Sequence, residues 1–135
     1  MGVMPDPDNA VVLVADGEET VLQDVSSTLE KAGYKVFKAS TGAAVHDFCA
    51  CPQGSVQLAI VDMAMVAHAP DTLDQLYRSF PDIRILFTGG REDAKTAPQV
   101  GRPGSVREFL GKPFRRSQLL GRVLQVMDAP MAYTA

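Results

Sequence analysis

Residues 10–33 read AVVLVADGEETVLQDVSSTLEKAG, and a change of period inside that stretch decides the fold. Residues 10–15 are an unbroken apolar run with three valines, the pattern of a strand covered on both faces. After Asp16 and Gly17 the apolar positions become Val21, Leu22, Val25 and Leu29, which is helical spacing, and Gly33 supplies the stop. A buried strand that runs straight into a one-faced helix is the first half of a βαβ unit.

The same alternation continues along the chain. Residues 34–39, YKVFKA, read as a strand with Lys35 and Lys38 on the wet side, which places it at or near a sheet edge. A short helix over 41–50 carries Ala44, Val45 and Phe48 and stops before Pro52. Residues 56–61 (VQLAIV) form a buried strand, and Leu73, Leu76, Tyr77 and Phe80 line the next helix. Residues 83–87 (IRILF) and 106–110 (VREFL) are the fourth and fifth strands, followed by a last helix striped with Leu119, Leu120, Val123, Leu124 and Met127. Five such units predict an α/β domain, a doubly wound and mostly parallel sheet with helices on both faces; part of a barrel is the less suitable alternative. One domain spans 1–135, with a core over about 11–128 and flexible ends at 1–9 and 129–135. The weak element is 89–104, GGREDAKTAPQVGRPG, where only Ala94, Ala97 and Val100 offer an apolar face. It predicts about two helical turns over 92–97 between mobile connections, because buried alanines contribute far less than leucines.

Composition narrows the functions. With 46% apolar and 21% charged residues over 135 positions, the chain is expected to form one compact domain. No apolar run reaches the 18 residues of a membrane span, and the first ten residues hold two Asp and no Lys or Arg, unlike a secretory signal. A cytoplasmic address with no membrane association is expected. The net charge of -3 gives nucleic acid no general attraction. His46, Cys49 and Cys51 supply part of a structural zinc set, but the two cysteines read as ordinary reduced thiols at a helix end.

In open parallel sheets, ligands bind beyond the carboxyl ends of the strands. There the sequence places Asp16 after the first strand, Asp62 after the third, Thr88 after the fourth and Lys112 two residues past the fifth. Two carboxylates, a hydroxyl and an ammonium suit a phosphoryl group carried by an aspartate, with Mg²⁺ bridging to Asp16. Each residue alone is equally a helix cap or a solvated loop end. A dinucleotide fold wants more glycine than ADGEETV offers, and a phosphatase of the haloacid dehalogenase kind wants an Asp where Ala64 stands.

These residues lie in blocks that resemble the receiver domain of the response-regulator family over about 11–127. The blocks are VLVAD at 12–16, EKAGYKV at 30–36, AIVDMAM at 59–65, ILFTGG at 85–90 and FLGKPF at 109–114. The resemblance implies a flavodoxin-like five-stranded sheet of order 2-1-3-4-5, with the first and fifth helices on one face and the other three opposite. Asp62 would be the phospho-acceptor, served by a histidine kinase or a histidine phosphotransfer protein. Asp16 and the Ala64 carbonyl would hold Mg²⁺ with Asp62. Thr88 would be the switch hydroxyl, Phe109 the switch aromatic or a plain core residue, and Lys112 the conserved-type lysine before a cis proline at 113. The face of the fourth helix, fifth strand and fifth helix would change shape toward a downstream protein. No enzyme activity beyond self-phosphorylation and slow dephosphorylation is implied. A monomer is expected, either standing alone without an output domain or cut from a longer regulator or hybrid kinase.

The chain departs from the family pattern in four places. Gly17 replaces the second acidic residue, which weakens the expected Mg²⁺ site unless Glu18 reaches it. Val66 stands where a proline is common, and VAHAPDT lacks the nearby glycine, so the loop beside Asp62 is altered. His68 in that loop either positions a water or faces solvent. Ser105 and Val106 replace a Gly-Ala pair, and Val106 near Thr88 would narrow the route by which a phosphoryl group is sensed. Arg115 and Arg116 are expected to face solvent. Two functions stay open: a phosphoacceptor receiver of a two-component phosphorelay, and a degenerate receiver that binds partners without phosphorylation.

Overall fold

The computed structural model describes residues 11–51 and 54–130. The expected flexible end at 1–9, and 131–135 of the other, lie outside them. Five strands pair in parallel in the order β2-β1-β3-β4-β5: β1 (Val11–Ala15), β2 (Lys35–Ala39), β3 (Val56–Asp62), β4 (Arg84–Gly89) and β5 (Arg107–Gly111). The helices are α1 (Glu19–Lys31), α2 (Gly42–Ala50), α3 (Met63–His68), α4 (Asp71–Ser79), α5 (Asp93–Thr96) with a following 3₁₀ turn (Ala97–Gln99), and α6 (Arg116–Asp128). This is the doubly wound sheet that the alternation predicts, in the flavodoxin-like order that the resemblance implies.

Every residue of β1 is buried because successive side chains enter different layers. Val12 and Val14 join Leu58, Ile60 and Leu86 under Leu22, Val25 and Leu29 of α1 and Leu119, Val123 and Val126 of α6. Leu13 and Ala15 join Ala59, Val61, Ile85 and Phe87 in the opposite layer, against Val45 of α2, Met65 of α3 and Leu73, Leu76 and Tyr77 of α4. β2 is an edge strand, with Lys35 and Lys38 exposed. Gly33 adopts φ 101° after α1, and the Tyr34 N–H reaches back to the Leu29 carbonyl at 3.1 Å, closing the helix as a left-handed cap. Among the described residues no helix is long and apolar enough to cross a membrane.

Three expectations change. The segment after Asp62 is helix α3 rather than a loop, so one expected helix becomes the pair α3 and α4. With Val66 in place of a proline and no glycine before Ala69, nothing in MAMVAH stops the helix from starting directly at Met63. The expected helix over 92–97 is a single turn, Asp93–Thr96, that tightens into the 3₁₀ turn; α5 buries no side chain, and Ala94 is exposed. Val106 is not near Thr88: Thr88 pairs with Leu110, while Val106 precedes β5 at its other end and packs in the α1/α6 layer. Its bulk therefore fills core space and does not narrow the surroundings of Thr88.

Candidate functional site

The site is built at the carboxyl ends of β1, β3, β4 and β5. Asp16 closes β1 and is buried; its Oδ1 accepts the Glu18 N–H at 2.9 Å, which shapes the turn into α1. Its Oδ2 accepts the Lys112 Nζ at 3.0 Å. The same ammonium lies 3.4 Å from Asp62 Oδ1 and 3.5 Å from Glu18 Oε1. One lysine thus gathers three carboxylates from two strands. The Lys112–Pro113 peptide is cis, as the resemblance implied. Thr88 stands directly across from Asp62 in the β3–β4 pairing and is buried.

Asp62 is the last residue of β3 and the N-cap of α3, without a full side-chain capping bond. Burial pushes its carboxyl above the ordinary range; Lys112 pulls it down, the Asp16 charge pushes it up again, and the Ala64 N–H lowers it. Burial pulls the Lys112 ammonium down, but the hydrogen bond to Asp16 and the charges of Asp16, Asp62 and Glu18 outweigh it, and its pKa is raised. The lysine is a fixed cation in this setting. Ala64 is the second residue of α3, so its carbonyl belongs to the helix ladder with one lone pair to spare.

Gly17 is where the acidic set is short. A Cβ there would meet only the Ser40 carbonyl, at an ordinary 3.7 Å, so no contact and no unusual backbone angle demands glycine. Among the described residues no group of three or more His, Cys, Asp or Glu is arranged to hold a metal ion. The side-chain oxygens that gather around Lys112 are those of Asp16, Asp62 and Glu18, and Ala64 turns its N–H toward Asp62. Oxygen-only ligands of this kind fit a hard cation that keeps several of its waters. Cys49 is buried and Cys51 exposed, both as free thiols.

The remaining expected residues are dispersed. Phe109, partly buried, packs on the α2/α3/α4 core layer, and its carbonyl accepts an Arg122 N–H. His68 is exposed at the last turn of α3. Arg115 precedes α6, where its N–H donates to Gln118 Oε1 at 2.7 Å. Arg116 does more than face solvent, since its guanidinium pairs with Asp24 of α1 at 3.1 Å. That exposed pair contributes only about 0–1 kcal/mol. Arg122, Arg107 and Tyr77 were not legible as structural anchors, because their partners lie on other elements and carry no local spacing. Arg107 donates to the carbonyls of Arg102 at 2.8 Å and Pro98 at 3.1 Å, and the Tyr77 hydroxyl shares a 3.0 Å bond with Ser105 Oγ.

The response regulator receiver domain, as a family, matches residues 12–124. The chain belongs to that family. A receiver domain is a signalling module of two-component phosphorelays and not a turnover enzyme. Receiver structures similar to it include a receiver domain protein from Clostridium thermocellum, at 26% identity and TM-score 0.73, covering 88% of this chain and 94% of that one. A response regulator receiver protein from Sinorhizobium medicae is also 26% identical, with TM-score 0.73 over 90% of this chain and 97% of that one. Among curated proteins, the DNA-binding transcriptional regulator NtrC of Rhizobium meliloti is 27% identical over 122 residues, 90% of this chain. The chain spans only 25% of that relative's length.

Proposed function

We propose that this receiver domain accepts a phosphoryl group on Asp62 from the phosphohistidine of a histidine kinase or a histidine phosphotransfer protein. The observation that carries this reading is the Lys112 ammonium, 3.0 Å from Asp16 and 3.4 Å from Asp62, with Thr88 paired across from Asp62. An Asp62 carboxylate oxygen forms the new O–P bond as the donor's N–P bond breaks, and the electron pair of that bond stays on the imidazole nitrogen. The adduct brings about -1.5 to -2 of charge beside Asp16. Lys112 then turns from the Asp62 carboxylate to the phosphoryl oxygens, and the Thr88 hydroxyl donates to them from the neighbouring strand. Mg²⁺, which Asp16, Asp62 and the Ala64 carbonyl would hold, disperses charge at the transferring phosphoryl when bound. Gly17 leaves that hold one carboxylate short, and Glu18 is already drawn toward Lys112.

Gly17 also favours a second reading, a degenerate receiver that binds its protein partner without phosphorylation. Intact mass after incubation with acetyl phosphate and Mg²⁺ separates the two. The first reading expects an adduct that hydroxylamine removes and that Asp62→Asn abolishes, while Lys112→Ala reduces it. Absence of an adduct, with no beryllofluoride-induced shifts at Thr88 and Phe109 in millimolar Mg²⁺, leaves the interaction module as the function. Sedimentation with and without beryllofluoride is expected to give a monomer, because α5 has no apolar face on which a helix-centred dimer can form.

A further inference from the structure

Beyond the residues that meet the phosphoryl group, the turn that follows Thr88 is closed by one carboxylate. Asp93 Oδ2 accepts the Gly90 N–H at 2.9 Å, and the Asp93 N–H donates to the Gly90 carbonyl at 3.1 Å. Residues 90 and 93 therefore hold each other by two bonds, one to the Asp93 side chain and one between their backbones. Gly89 fits only because it lacks a side chain: a Cβ there would overlap Asp93 Oδ2 and lie 3.0 Å from Asp93 Cβ and Cγ. The Gly89 carbonyl in turn accepts the Lys112 backbone N–H at 2.7 Å. The carboxylate thus reaches, through one tightly packed residue, both Thr88 and the main chain of Lys112.

Apolar burial does not fix this turn, since α5 buries nothing and Gly90 to Glu92 are exposed. The ion pairs among the described residues leave Asp93 out, so its carboxylate serves the turn and no neighbouring cation. We infer that Asp93 is a positioning residue of the acceptor site, holding the end of β4 so that Thr88 and Lys112 stay aligned with Asp62. The inference rests on the phosphoacceptor reading for its purpose, but the hold itself is measurable without any phosphoryl group.

The test compares wild type with Asp93→Ala, Asp93→Asn, Gly89→Ala and the double variant Gly89→Ala/Asp93→Ala. The measurements are NMR resonances of Thr88 and Lys112, amide exchange of Gly90, thermal midpoints, and adduct formation as a function of acetyl phosphate concentration. Asp93→Ala is expected to speed Gly90 exchange, shift Thr88 and Lys112, and lower the maximal adduct rate about tenfold with the half-saturating donor concentration unchanged. Asp93→Asn keeps an oxygen that accepts the Gly90 N–H, so it is expected to behave like wild type. Gly89→Ala should match Asp93→Ala, and adding it to Asp93→Ala should cost less than it does alone, because the carboxylate overlap is gone and only the 3.0 Å contact with the Cβ of residue 93 remains. Unmoved Thr88 and Lys112 resonances in Asp93→Ala overturn the inference, as does an Asp93→Asn protein as impaired as Asp93→Ala at equal thermal midpoint. A wild type that forms no adduct overturns the phosphoacceptor reading; shifts at Thr88 and Lys112 in Asp93→Ala then still support the hold.

Discussion

β1 and β3 bring Asp16 and Asp62 to the site along strands that are buried almost residue for residue, whereas 90–105, which leads from Thr88 to β5, buries only Ala97. The first pair is held by bulk: Leu13, Leu58, Val61 and their neighbours fill both layers of the core. The second is held by polar contacts. Arg107 ties down the Arg102 and Pro98 carbonyls, Ser105 Oγ donates to the Arg102 carbonyl at 2.6 Å, and the Arg102 guanidinium lies 4.7 Å over the Tyr77 ring. A hydrogen bond is worth about 0.5–1.5 kcal/mol net, so such a segment opens locally at far less cost than a core strand. The acid side of the site is fixed by packed core, and the segment after Thr88, held by polar contacts, is the side expected to respond.

The contrast breaks first in the core, if anywhere. Leu58→Ala should cost about 2–5 kcal/mol in denaturant unfolding, because Leu58 is fully buried and the cavity cannot collapse between two packed layers. Next comes Arg107→Ala, expected to cost about 1.5–3 kcal/mol as its carbonyl partners lose a charged donor. Hydrogen exchange should then show protection falling over 97–105 while β1 and β3 keep theirs. Protection over 93–105 in the wild type equal to that of 116–127 contradicts the division into a fixed and a responsive side.

Two smaller effects sharpen it. Gly17 lies on the fixed side with room for a side chain, so Gly17→Asp should need no rearrangement. Calorimetry is expected to show Mg²⁺ bound about tenfold more tightly, about 1.4 kcal/mol, and equal affinities would mean that Glu18 or water already fills the place. The smallest change is Asp62→Asn. Burial and the Asp16 charge raise the Asp62 pKa, so the folded chain keeps that proton to higher pH than the unfolded chain. Stability is therefore lost as pH rises from the unfolded value of 3.8 toward the raised folded value. Asp62→Asn should raise the melting temperature slightly at neutral pH, and the gain should vanish below the unfolded pKa.

Much of this was legible from residues 10–33 and their repeats. A continuous valine-rich run means a strand covered on both faces, and Val21, Leu22, Val25 and Leu29 mean a helix, because period is set by backbone geometry that each segment carries alone. The strand-end rule then named Asp16, Asp62, Thr88 and Lys112, since a parallel sheet brings all carboxyl ends to one side. The helix after Asp62 is hard to read locally because Val66 in place of a proline suggests only an altered loop, whereas removing a helix breaker lets a helix start at Met63. Val106 was misplaced because adjacency to Thr88 depends on the β4–β5 register, and a shift of four residues carries a side chain about 13 Å along a strand.

Local pattern along the chain sets the order of elements, the two-sided burial of the sheet and the identity of the charged groups at its carboxyl edge. All of these follow from local periodicity and from the direction of the chain. It takes the folded chain to show that one Lys112 ammonium gathers Asp16, Glu18 and Asp62, that Asp93 closes the Gly89–Gly90 turn, and that Arg107 and Tyr77 secure the connection into β5. Apart from the Gly90–Asp93 bond, which spans three residues, those contacts join residues on different elements. They depend on side-chain reach and strand register, which no local pattern encodes.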